Sequence, residues 1–317
     1  MQNYQIIFSI LSAIILFLFG LSAFSNELQK AAGNKLKETI DFITKNRFTA
    51  FIVGLFFTMI IQSSAAVSSL AVTLVNSGAL SFKGALSIVL GSYIGTTATA
   101  WLVAFKVTGI GPIFIVLGAL TGFLPTRFRV FGKGIFYFGF IFFALELVST
   151  SLEPLKTNED LVNFLLLSSN PLLGILIGIV LTIALQSSAI VTGLAIILVQ
   201  QSLISPEQSI PIVLGANVGT TATALFASFG MNRNAKRTAI ANTLINICGV
   251  LIVMPFYSRF TSFVLSNSPN ESMVVAFAHL SFNVILVSIF LTLLNPFVRF
   301  MDKYFPEEKK KLALPLN

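Results

Sequence analysis

Two apolar stretches, 48–75 and 171–199, are each interrupted near the middle by Gln-Ser-Ser, at Gln62, Ser63, Ser64 and at Gln186, Ser187, Ser188. The arms on either side are about 10–15 residues, or roughly 15–22 Å as helix. That is too short to cross about 30 Å of hydrocarbon. The bilayer is the right ruler because 55% of the 317 residues are hydrophobic and only 10% are charged, against about 25% in an ordinary soluble protein. A mean hydropathy of +0.90 agrees. Lipid cannot satisfy backbone groups freed inside a membrane, so a broken helix there must line a cavity or lie buried in protein. Each stretch therefore reads as a re-entrant helical hairpin that turns back near mid-membrane.

Single spans are expected at 5–24, 84–105, 107–124, 132–152, 210–229, 238–257 and 273–298. The first lacks a positive start and a small-residue cleavage site, so it reads as a retained span, not a signal peptide. With the N-terminus outside and both hairpins returning to their own side, 17 of the 20 Lys and Arg fall inside. Only Lys106, Lys156 and Arg259 fall outside. Letting each hairpin cross once would move Lys83, Arg127, Arg129 and Lys133 outside, which the positive-inside rule disfavours. The net charge of +8 thus sets topology; nucleic acid is not expected as a partner. Cys248, the one cysteine, can form no intramolecular disulfide.

The chain repeats itself at an offset of 124 residues. Residues 46–100 align without a gap on 170–224, with 23 of 55 positions identical. Gly-Thr-Thr-Ala-Thr-Ala at 95–100 recurs at 219–224, and the register extends weakly upstream to Phe19 and Leu21 on Phe143 and Leu145. Three spans separate equivalent points, so the copies should face opposite ways. Inverted-topology repeats are a hallmark of secondary transporters. The expected architecture is an all-α polytopic membrane protein, one domain of two inverted-topology repeats. Repeat one covers about 5–125, repeat two about 132–257, with a final span at 273–298 and a polar, mobile tail at 299–317. There would be about seven spanning helices plus two re-entrant hairpins, with no soluble appendage after the tail.

The second arm of each hairpin starts just after Gln-Ser-Ser. Ser is a favoured N-cap, and free N–H groups at a helix start suit an anion. The hydroxyls and the Gln amide add neutral donors. The C-terminal ends of the first arms offer carbonyls that suit sodium. Ser and Thr also serve as helix–helix glue, but two copies at mid-hairpin favour a site. The windows Gly91–Gly95 and Gly215–Gly219 admit two readings. They are unwound points whose Thr hydroxyls and carbonyls hold sodium, or they are close-packing Gly-x-x-x-Gly seams; both can hold. No Lys or Arg lies in either hairpin or near these windows. A bound anion would then need co-bound cations, because an isolated buried charge is very costly. Glu146 is the one carboxylate within a span and His279 the one histidine. Such groups are functional candidates, though a histidine hydrogen-bonded in a bundle can be purely structural.

Enzyme chemistry has little support. Neither Gln-Ser-Ser sits in a Gly-x-Ser-x-Gly turn, and metal clusters, phosphate-binding loops and dinucleotide fingerprints are absent. An ion gradient is the expected energy source.

Paired Gln-Ser-Ser motifs, each followed by Gly-x-x-x-Gly-Thr-Thr, resemble the type II sodium–phosphate cotransporters and their bacterial relatives over about 17–255. Arg233-Asn234-Ala235-Lys236-Arg237-Thr238-Ala239 also resembles the family's pattern. The resemblance implies symport of inorganic phosphate with sodium by alternating access. No cofactor, enzyme activity or transition-metal site is implied, and the place is the bacterial inner membrane with the C-terminus cytoplasmic. It puts Gln62, Ser63, Ser64, Gln186, Ser187 and Ser188 at the phosphate. It puts Asn217, Thr220 and Thr223 at sodium, with Thr96 and Thr99 as first-half equivalents. Tyr93 stands where the pattern has Asn, which questions a sodium site in the first half. Carriage of another oxyanion, a passive anion channel and a non-transporting phosphate sensor remain rival readings. Assembly into a homo-oligomer is left open.

Overall fold

The computed structural model describes residues 2–32, 46–105, 109–121, 126–154 and 167–306. Lys35, Lys37, Lys45, Lys106, Lys156 and residues 309–311, which carry part of the charge argument, lie outside them. Among the described residues the chain is helical, without strands.

Helix α1 (Gln2–Ala32) precedes a pair, α2 (Arg47–Ile61) and α3 (Ser64–Asn76). Then come α4 (Phe82–Ala104), α5 (Ile110–Thr121) and α6 (Thr126–Leu152). A second pair follows, α7 (Pro171–Leu185) and α8 (Ser188–Gln200). The chain continues as α9 (Pro206–Ala227), α10 (Arg233–Val253), α11 (Tyr257–Asn267), α12 (Glu271–Thr292) and α13 (Leu294–Tyr304). The starts of α2, α3 and α4 recur at α7, α8 and α9 at the same offset of 124. Even the helix caps match: the side chains of Asn46 and Asn170 each accept from a backbone N–H two residues on, at 3.0 Å. Such a cap is worth about 1 kcal/mol.

Among the described residues, six helical segments are long and apolar enough to cross a bilayer: Tyr4–Lys30, Phe82–Ala104, Phe131–Leu152, Pro206–Ala227, Arg233–Asn267 and Glu271–Thr292. The expected span at 107–124 is not among them. Its described part is the 12-residue α5, preceded by Gly109 at a left-handed φ of +79°; residues 107, 108 and 122–124 of that span lie outside the described residues. At 1.5 Å per residue it is about 18 Å long. The end of the chain also departs from expectation. The helix predicted to run to 298 stops at Thr292, and α13 occupies residues expected in a mobile tail. Leu294 and Met301 are fully buried and anchor it.

The Gly-x-x-x-Gly windows settle into continuous helix. Neither α4 nor α9 unwinds. Their glycines instead admit a neighbour's backbone. A Cβ on Gly91 would lie 1.9 Å from the carbonyl oxygen of Phe51, and one on Gly215 would lie 2.0 Å from that of Ile175. Gly54 and Gly178 return the favour against Ile88 and Ile212. So α2 packs backbone-to-backbone on α4, and α7 on α9. The opposite faces of α2 and α7 carry exposed apolar stripes in equal register, Phe48, Ile52, Phe56 and Leu172, Leu176, Val180. Stripes of this kind suit lipid rather than water.

Candidate functional site

The break in each pair falls on its glutamine. Gln62 and Gln186 both take a left-handed φ of 55°, a conformation usually left to glycine or asparagine at helix C-termini. Each side chain compensates locally. Gln62 Nε2 donates to the Met59 carbonyl at 2.5 Å and Gln186 Nε2 to that of Ile183 at 3.2 Å. The carboxamides therefore cap the arms that precede them. The serines next in sequence begin the arms that follow.

Both bends face one cavity of about 440 Å³. Gln62, Ser63, Ser64, Gln186, Ser187 and Ser188 all line it, together with Thr96 and Thr220. Among the described residues, none that lines it is ionisable. The start of α3 contributes free N–H groups there, with Ser63 Oγ accepting from Ala66 N at 3.2 Å. A hydroxyl that accepts keeps its own hydrogen for a ligand. Ser187 makes no such cap bond.

The two halves differ in how tightly the bend is tied. Thr99 Oγ1 donates to Gln62 Oε1 at 2.7 Å, and Ser64 and Thr96 stand 3.4 Å apart, hydroxyl to hydroxyl. In the second half Thr220 turns back to the Ala216 carbonyl at 2.9 Å. Thr223 is half-buried and outside the lining.

Asn217 also lies outside the lining. Its carboxamide oxygen faces His279 Nε2 at 3.1 Å and Asn283 Nδ2 at 3.5 Å. Its repeat partner Tyr93 donates to Asn242 Oδ1 at 2.5 Å and accepts from Asn246 Nδ2 at 2.7 Å. Each thus meets a polar i, i+4 pair on a later helix, α10 in one case and α12 in the other.

Sequence reasoning missed one wall of the cavity. Ser22, Ser25, Asn26 and Gln29 of α1 line it. Their spacing of i, i+3, i+4 and i+7 is a helical face, and that polar stripe at the end of an apolar span was a legible signal. Ser25 Oγ donates to the Ile61 carbonyl at 2.5 Å and accepts from Gln29 Nε2 at 3.0 Å. A second omission is Thr58 and Thr182, one turn before each bend, fully buried with unpartnered hydroxyls.

The cavity is thus rimmed by hydroxyls, amides and two helix starts. Comparisons with known proteins identify the family. The family model described as Na+/Pi-cotransporter matches residues 16–150 and 149–285. YqeW of Bacillus subtilis (strain 168), an uncharacterized protein, is 32% identical over 306 residues, which are 95% of this chain and 99% of that one. YjbB of Escherichia coli (strain K12), provisionally named for inorganic phosphate export, is 27% identical over 94% of this chain, which spans only 56% of YjbB. Sodium-dependent phosphate transport protein 2B of Homo sapiens is 30% identical over 40% of this chain and 20% of its own length. No solved structure matches. With both halves matched by one model, the chain belongs to the Na+/Pi-cotransporter family, a family of transporters and not of enzymes.

Proposed function

We propose that the protein is a sodium-coupled symporter of inorganic phosphate that works by alternating access. The observation that carries this reading is the meeting of both Gln-Ser-Ser bends, with Thr96 and Thr220, in one cavity whose lining, among the described residues, has no ionisable side chain. Phosphate is held by the serine hydroxyls, the glutamine amides and the N–H groups that open α3 and α8. None of the described lining residues is a fixed cation, so sodium offsets its charge. Thr96, Thr99, Thr220 and Thr223 supply hydroxyl oxygens, and the buried hydroxyls of Thr58 and Thr182 add one below each bend. Asn217, one turn before Thr220 on α9, joins them when its bond to His279 is exchanged.

In this reading the two helix pairs are re-entrant hairpins, the halves are inverted, and the basic loops lie in the cytoplasm of a bacterial cell. The exposed stripes on α2 and α7 support the first point, since both arms show lipid an apolar face. Loop charge supports the orientation. The provisional name of YjbB favours a second reading, export, in which the same cavity releases phosphate outwards.

Labelled-phosphate uptake into proteoliposomes tests the proposal, with an inward sodium gradient and with potassium in its place. Uptake only with sodium is expected. Equal uptake in both would reject sodium coupling, and efflux that ignores the sodium gradient would favour export.

A further inference from the structure

Helix α13 follows α12 with a single residue between them: α12 ends at Thr292 and α13 starts at Leu294. Since α12 is long and apolar enough to span, its end marks one surface of the bilayer, and α13 begins there. Other helix ends meet at the same level. Arg47, the first residue of α2, donates from its guanidinium to the Leu291 carbonyl at 3.3 Å. Arg237, one turn into α10, pairs with Asp302 of α13, and its guanidinium lies 3.8 Å over the ring of Phe82, the first residue of α4. Arg237 belongs to the Arg-Asn-Ala-Lys-Arg-Thr-Ala stretch, and it is buried. A buried cation is costly to leave unpaired, so Asp302 pins α13 to this basic side of the protein.

The helix divides into three faces. Leu294 and Met301 are buried in the protein, with Val298 half-buried between them. Leu293, Phe300 and Tyr304, at i, i+7 and i+11, share a second face and are exposed. Half-buried Phe297 leads into it. Phe290 of α12 meets Phe297 edge-on at 5.3 Å, Phe297 stacks on Phe300 at 6.3 Å, and Phe300 leans on Tyr304 at 4.8 Å. An aromatic row therefore runs from the spanning helix to the tip of α13. The third face is polar: Asn295, Arg299 and Lys303, at i, i+4 and i+8, are all exposed. Among the described residues neither Arg299 nor Lys303 forms an ion pair with a carboxylate. Lys303 Nζ instead stands 5.4 Å from the centre of the Tyr304 ring.

Water suits the two cations but not the aromatic row beside them. A second copy docked through the same face would bring like charges together. The boundary of a bilayer suits both, because aromatic side chains favour that depth and cations there meet headgroup phosphates. We infer that α13 is a docking surface for anionic phospholipid. Leu293, Phe300 and Tyr304 enter the upper acyl region, while Arg299 and Lys303 hold the phosphates. Each such cation near an anionic surface strengthens attraction roughly fivefold.

The test uses full-length protein with Trp101→Phe and Phe300→Trp. Trp101 is the one tryptophan, so a single indole then reports on the exposed face. The protein is placed in vesicles of equal parts phosphatidylcholine and phosphatidylglycerol, with bromine on the acyl chains of one lipid at a time to quench the indole. Quenching should be stronger with bromine on phosphatidylglycerol. Adding Arg299→Gln and Lys303→Gln should abolish that difference and leave the melting temperature unchanged. Equal quenching by the two brominated lipids, before those changes, would overturn the assignment to anionic lipid, as would a preference that survives them. No quenching by either lipid would overturn the docking surface itself, and self-linking of a Cys248→Ala, Tyr304→Cys variant would then give the face to a second copy.

Discussion

Thr99 donates its hydroxyl hydrogen to Gln62 Oε1 across 2.7 Å, while their repeat partners Thr223 and Gln186 are not joined. The first bend is latched to α4 and the second is loose on α9. Thr99→Val should therefore cost roughly 1 kcal/mol of stability, the worth of one buried hydrogen bond, and melt lower in detergent. Thr223→Val should leave melting unchanged and raise the sodium concentration for half-maximal uptake several-fold. Equal loss of stability in both would show that the halves are equally tied.

Serines 63 and 187 separate the same way. Removing a hydrogen bond to a charged partner costs about 1–3 kcal/mol, or roughly 5- to 150-fold in affinity. Both Ser63→Ala and Ser187→Ala should weaken phosphate binding within that range, read from the phosphate dependence of uptake. Only Ser63→Ala should also destabilise, by about 1 kcal/mol, since only Ser63 caps its helix. Transport by the double variant at unaltered apparent phosphate affinity would remove these residues from the site.

The left-handed bends make an ordering test. A Cβ in that conformation costs roughly 1–2 kcal/mol, and glycine avoids it. Gln186→Gly should melt higher than Gln186→Ala, and neither should transport, because both lack the carboxamide. Restored uptake in Gln186→Gly would mean that the bend matters for its shape alone.

Gly215→Ala should be among the most damaging single changes, because its methyl group would meet a carbonyl oxygen at 2.0 Å. Overpacking of this kind costs about 1–3 kcal/mol or more. Gly134→Ala on α6 is the matched control. Nothing lies within 4 Å of its Cβ position, so helix propensity alone should stabilise it by up to about 1 kcal/mol. Thermal melts of the two purified variants check both signs.

The bends at Gln62 and Gln186 were legible because two opposed facts met at one spot. An apolar run too long for one short helix carried a polar tripeptide at its centre, and it did so twice. The gathering of both tripeptides around one cavity followed from the repeat. The glycine windows were ambiguous for a physical reason. Low helix propensity and close packing leave the same residues in the sequence, and only the nearness of the Phe51 and Ile175 carbonyls separates them. The polar face of α1 was overlooked because the expected first span ended at 24, so that only Ser22 of Ser22, Ser25, Asn26 and Gln29 fell inside it. Asn217 was placed by pattern beside Thr220, and no pattern reports the pull of His279 from a helix 62 residues away.

The contact of α2 on α4, and of α7 on α9, has no side chains between the backbones where the glycines meet. Such a seam has no rotamers to flip and no slack to absorb a shift. Each bend must travel with its long partner helix as a solid block or stay put with it. Any sliding surface in this molecule therefore runs elsewhere, between those blocks and the layer formed by α1, α5 and α6.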